Sequence, residues 1–203
     1  MHVHTDNGNH ARILKVARDF FNTRGYRSVT IQEIAEQLGM SKKTIYQYYS
    51  GKEEIAEAVV MESMSRLDEA SKRFDHVDKN DSLRVIKEVL IEVREESMRF
   101  GPLFLKDMEK YLPDLASRYK TFRMERREKG VRLLQKLQDD GVIDDNVSVP
   151  LLAEILSTCM HALATRDAAS ELRYSRMQVL DTYMDIFCKG IAAGGIEEEA
   201  AAE

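Results

Sequence analysis

The chain has 203 residues, 43% hydrophobic and 32% charged, enough apolar content for one sizeable core or two small domains. No apolar run is long enough to cross a membrane, and the polar opening MHVHTDNGNH lacks the apolar core of a secretory signal, so a cytoplasmic protein with no membrane partner is expected. The net charge of −5 is uneven: residues 1–53 carry eight Lys or Arg against five Asp or Glu, a balance of +3 that leaves −8 on the remainder, as expected when one end meets nucleic acid.

Ile13, Leu14, Ala17, Phe20 and Phe21 recur at helical spacing and predict a first helix from about His10 to Arg24. His2, His4 and His10 belong to what reads as a disordered tail with nothing beside them to fix a coordination geometry, so no metal site is expected. Thr30 and Glu33 form the spacing of a capping box, opening a second helix that buries Ile31, Ile34, Ala35 and Leu38 and stops at Gly39. Ser41 offers another N-cap, and Lys42 to Tyr48 contains only Ile45 as an evident core aliphatic. A helix this short must be held by tertiary packing, and it displays what it does not bury. Lys42, Lys43 and Lys52 supply positive charge, Ser41, Thr44, Tyr46 and Tyr48 supply hydroxyls, and Gln47 supplies an amide suited to a base edge. The plain alternative is a surface helix whose lysines only keep the chain in solution. Against it, Tyr46, Tyr48 and Tyr49 cannot all face one core.

A fourth helix, from Lys52 to about Phe74, is longer than a small N-terminal domain can cover and reads as a connector. Leu83, Ile86, Leu90 and Val93 mark a further helix, Gly101-Pro102 and Pro113 break the chain into short angled helices, and a long charged helix runs from Leu115 to about Asp139. Phe100, Phe104, Met108, Tyr119 and Phe122, with Arg123 and His161 as polar groups, are candidates to line a ligand pocket, with ordinary core as the other reading. Met177, Leu180, Met184 and Phe187, and before them Leu152, Leu156, Cys159 and Leu163, keep the three-four spacing of packed helices. They read as a dimer interface, with an intrachain core as the alternative. Cys159 and Cys188 lie in these apolar patterns, away from CxxC or metal-ligand spacing, and read as buried free thiols. The acidic tail Gly194 to Glu203 reads as frayed. No strand signal persists, so the fold class is all-α. Nor do nucleophile, base and orienter group together, or glycines form a phosphate loop, so no enzyme and no cofactor are expected.

Residues 10–55 resemble the DNA-binding domain of the TetR family of bacterial transcriptional regulators, most specifically in SKKTIYQYYSGKEEI. Upstream, ILKVARDFFNTRGYRSVTIQEIAEQLG also fits, while Lys43 stands where the family often has a small residue or glycine. The resemblance implies an N-terminal helix-turn-helix domain, taken as residues 1–53, joined to a ligand-binding and dimerisation domain, 54–203. It also implies a homodimer that binds a double-stranded operator and is released by a small-molecule effector. On that reading Lys43, Gln47 and Lys42 reach base edges, and Thr30, Thr44, Tyr46, Tyr48 and Lys52 hold phosphates. The alternative is an interaction module that keeps the fold without sequence-specific DNA binding.

Overall fold

A computed structural model describes residues 4–72, 88, 91, 94–95, 99–165 and 174–191. Among these the chain is helical: α1 His4–Arg24, α2 Ile31–Leu38, α3 Lys42–Tyr46, α4 Lys52–Lys72, α5 Pro102–Tyr111, α6 Pro113–Asp139, α7 Val149–Thr165 and α8 Arg176–Ile191. The expected helix marked by Leu83, Ile86, Leu90 and Val93 and the acidic tail lie outside the described residues, as do the side chains of Leu163, Met177 and Cys188.

The chain divides into two compact units. The first holds residues 1–66 and 98–121, so it runs past residue 53 and takes in α5 and the start of α6. Its core explains why. Ile13, Ala17 and Phe21 of α1, Ile34 and Ala35 of α2, and Ile45 of α3 are sealed together with Ile55, Ala56, Val59 and Val60 of α4. Phe104, Leu105 and Met108 of α5 close the other side of α1, where Phe104 stacks on Phe21 with ring centroids 5.2 Å apart. A three-helix module of some fifty residues buries little apolar surface of its own, and α5 supplies the missing face.

One helix boundary differs from the sequence expectation by more than two residues. Helix α1 starts at His4, not near His10, and Asn9 and His10 within it find partners 39 residues away that a local reading does not see. Proline at N1 starts both α5 and α6, with Leu112 as the single non-helical residue between them, which is the angled arrangement that Gly101-Pro102 and Pro113 predict.

The second unit holds residues 67–97 and 122–203. Leu134 and Leu137 of α6 meet Val149 and Ala153 of α7 and Phe187 of α8 around the buried Ile143. The turn between α6 and α7 is pinned by Gln138, whose Nε2 donates to the carbonyls of Asp144 at 2.9 Å and Val147 at 2.8 Å. Among the described residues no helix is long and apolar enough to cross a membrane.

Candidate nucleic-acid interface

The helix-turn-helix is built from its caps. Thr30 closes the capping box: Glu33 N–H donates to Thr30 Oγ1 at 3.3 Å, and the Thr30 amide and hydroxyl both donate to Glu33 Oε2 at 2.8 Å. Arg24 pairs with the same carboxylate, and with Thr30 it pulls the Glu33 pKa down to about 2. Gly39, at φ +65°, ends α2 in the left-handed conformation, and the Met40 amide reaches back to Ala35 O at 2.8 Å. Ser41 then caps α3, accepting from the Thr44 amide at 3.0 Å, while the two hydroxyls share a bond of 2.9 Å.

Around this frame the nine predicted DNA-binding residues fall into two groups. Lys42, Lys43 and Tyr46 of α3 and Gln47 at its C-cap project into solvent, Tyr46 being 52% exposed. The other five are engaged within the protein. Thr30 and Ser41 serve as caps, the Thr44 hydroxyl is tied to Ser41, and Tyr48 accepts from Asn9 Nδ2 at 3.0 Å. Lys52 is the clearest case: its ammonium donates to the carbonyls of Val29 at 2.7 Å, Tyr26 at 2.9 Å and Arg27 at 3.3 Å, and lies 4.4 Å from the Tyr26 ring centroid. Three donors meet three acceptors, so in this structure Lys52 is a clasp on the α1–α2 turn. Partial burial lowers its pKa, against the opposing pull of Asp107 and Glu33.

The aromatic pair has a partner that sequence reasoning missed. His10 packs edge-on to both Tyr48 and Tyr49, and its Nδ1 shares a 3.0 Å hydrogen bond with the hydroxyl of Tyr49, which is buried. Burial, followed by the charges of Glu54 and Glu62, pushes the Tyr49 pKa up to about 12. Two adjacent tyrosines, each needing a partner for its hydroxyl, were the available signal.

The candidate pocket residues do not share one unit. Phe100, Phe104 and Met108 are core of the first unit and Tyr119 packs against that core, whereas Phe122, Arg123 and His161 belong to the second, where Arg123 Nη1 and His161 Nδ1 are 2.7 Å apart. Of the candidate interface residues, Leu180, Met184 and Phe187 are buried within the chain, and Leu152 and Leu156 pack on its second core. Cys159 is a half-buried free thiol. On the same two helices Leu151, Ile155 and Ile186 are 59%, 45% and 66% exposed.

Residues 13–59 match the family model described as bacterial regulatory proteins, tetR family. The chain is 25% identical to the HTH-type transcriptional regulator YvaF of Bacillus subtilis, across 94% of this chain and 98% of that protein. It is 24% identical to the HTH-type transcriptional repressor AcnR of Corynebacterium diphtheriae, across 83% and 86%. In fold it is similar to a transcriptional regulator from Saccharomonospora viridis solved in complex with choline, with a TM-score of 0.67 at 18% identity over 92% of this chain and 98% of that one.

Proposed function

The chain belongs to the TetR family of bacterial regulatory proteins, and on that premise we propose that it is a repressor that grips an inverted-repeat operator as a homodimer and lets go when a small-molecule effector binds the second unit. It is a transcriptional regulator with a helix-turn-helix, and not an enzyme. The observation that carries the reading is the division of labour at α3. The hydroxyls of Ser41, Thr44 and Tyr48 are spent on fixing the helix, while Lys42, Lys43, Tyr46 and Gln47 are left to solvent. Lysine and glutamine at the base edges, with Tyr46 at a phosphate, are the contacts such a helix makes in a major groove. Thr30 and Lys52 act by holding the helix in place.

Repression is the role named for one relative, and bound choline in one fold neighbour is consistent with an effector site in the helical domain. For the dimer, the exposed Leu151, Ile155 and Ile186 are better candidates than the side chains already spent on the intrachain core. Selection of bound fragments from random duplex DNA, followed by affinity across a salt series, tests the reading. Enrichment of a paired inverted site with steep salt dependence is expected, and Gln47→Ala or Lys43→Ala should relax one position per half-site at a cost of about 1–3 kcal/mol. No enrichment would overturn it and favour an interaction module.

A further inference from the structure

Asp107 lies on α5, well outside residues 13–59, yet it is bonded to the turn that leads into the helix-turn-helix. Its Oδ2 accepts from the Arg27 amide at 2.9 Å. A methyl group on Gly25 would sit 2.7 Å from that same oxygen, and Gly25 has φ +78°, so both the close approach and the backbone conformation call for glycine. One helical turn further along α5, Tyr111 accepts from Arg27 Nη1 at 3.1 Å. The turn's carbonyls are held from the other side by Lys52, at the first residue of α4. The segment Gly25–Thr30 is therefore gripped by its amide from α5 and by its carbonyls from α4, and it ends at the residue that caps α2.

Helix α5 is itself firmly seated. Phe104 stacks on Phe21, and the Asn22 side chain brackets the start of α5, accepting from the Gly101 amide at 2.8 Å and donating to Arg99 O. A methyl group at Gly101 would come within 2.9 Å of Asn22 O, a backbone atom that cannot swing aside. A carboxylate on a helix fixed this way is a rigid reference point for the turn.

We propose that Asp107 is a positioning residue for DNA binding: it sets the Gly25–Thr30 turn, and through that turn the direction of α2 and α3, without itself touching DNA. The inference rests on the DNA-binding reading above and adds a residue that motif matching does not reach. The charge suits the role, because a carboxylate opposite the Lys52 ammonium polarises the peptide groups between them in the sense that strengthens both sets of bonds.

The test uses the full-length protein as wild type, Asp107→Ala and Asp107→Asn, with amide hydrogen exchange on the free protein and affinity for the selected duplex well below the melting temperature. There the folded fraction is saturated, so a purely structural loss of stability leaves affinity unmoved. Asp107→Ala should speed exchange of the amides of residues 26–48 and weaken duplex binding about tenfold, the cost of re-ordering the turn on binding, with the salt slope unchanged. Asp107→Asn keeps an acceptor for the Arg27 amide and should recover most of both. Unchanged exchange in α2 and α3, or unchanged affinity in Asp107→Ala, would overturn the proposal. Should wild type select no duplex, the DNA-binding reading fails on its own and the exchange data alone decide whether Asp107 controls the turn.

Discussion

Replacing Lys52 with methionine separates a clasp from a phosphate contact. Methionine keeps most of the apolar stem and removes the ammonium, leaving the carbonyls of Tyr26, Arg27 and Val29 without their shared donor. A hydrogen bond from a charged group contributes about 1.5–3 kcal/mol, which for three bonds sets a ceiling far above the expected effect. Two terms reduce it. The site is only partly buried, so water reaches some of the freed carbonyls, and the burial that lowers the Lys52 pKa is a cost the variant no longer bears. A net loss of about 2 kcal/mol remains, or a melting temperature lower by roughly 4–8 °C for a chain of this size. Affinity measured well below melting then falls through misplacement of α2, with the salt slope kept. A phosphate contact would behave in the opposite way: removing one lowers the slope by about 0.9 and leaves stability alone. Lys42→Ala provides that comparison in the same assay. An unchanged melting temperature with a slope reduced by about 1.8, one contact in each half of the dimer, in Lys52→Met would refute the clasp.

Three further outcomes follow from the packing and the titration of the first unit and from the surface of the second. Phe104→Ala removes a fully buried ring that stacks on Phe21, and urea unfolding should show a loss of about 3–5 kcal/mol, with Phe104→Leu costing clearly less. Glu33 titrates near 2 in the folded protein against an ordinary 4.5, so its contribution is complete above about pH 4.5 and fades as pH falls toward 2. The melting difference between wild type and Glu33→Gln should shrink across that window; a difference that does not vary there would contradict the capping-box account. Ile155→Lys with Ile186→Lys places charge on exposed apolar positions and should yield monomers in sedimentation without loss of helicity, whereas an unchanged oligomer would remove this face from the interface.

The reading head was legible in the sequence because its signals are local. Thr30 with Glu33, Gly39, and Ser41 with Thr44 each act over three or four residues, and the structure realises all of them. The commitments of Lys52, Tyr48 and Tyr49 were not legible, since their partners are 23 to 39 residues away and a lysine before a helix looks the same whether it faces a phosphate or a cage of carbonyls. Phe100, Phe104 and Met108 show a related limit. Aromatic and methionine side chains at helical spacing mark a buried face without saying which core it joins, and here it is the core behind the helix-turn-helix.

The arrangement of charge explains how a chain with net charge −5 can be a DNA reader. In the first unit the structural cations are already spent: Arg18 pairs with Glu62, Arg24 with Glu33, Arg12 bonds to Leu38 O, Arg27 to Tyr111, and Lys52 lies in its cage. Lys42 and Lys43 are the exposed cations of α3 itself. At physiological ionic strength charge is screened beyond roughly 8 Å, so a phosphate responds to the lysines it touches more than to the sum over the chain. For a dimer placing both lysines of each half at phosphates or base edges beside them, release of about four counterions gives a slope of log affinity against log salt near −3.6, before any contact from α1 or the turn is added. If net charge governed instead, repulsion between two anions would make binding strengthen as salt is added. The sign of the slope alone decides between these, and Lys42→Ala with Lys43→Ala should bring it about halfway to zero if two lysines per half-site carry half of a total near −7, or nearly to zero if they carry it all.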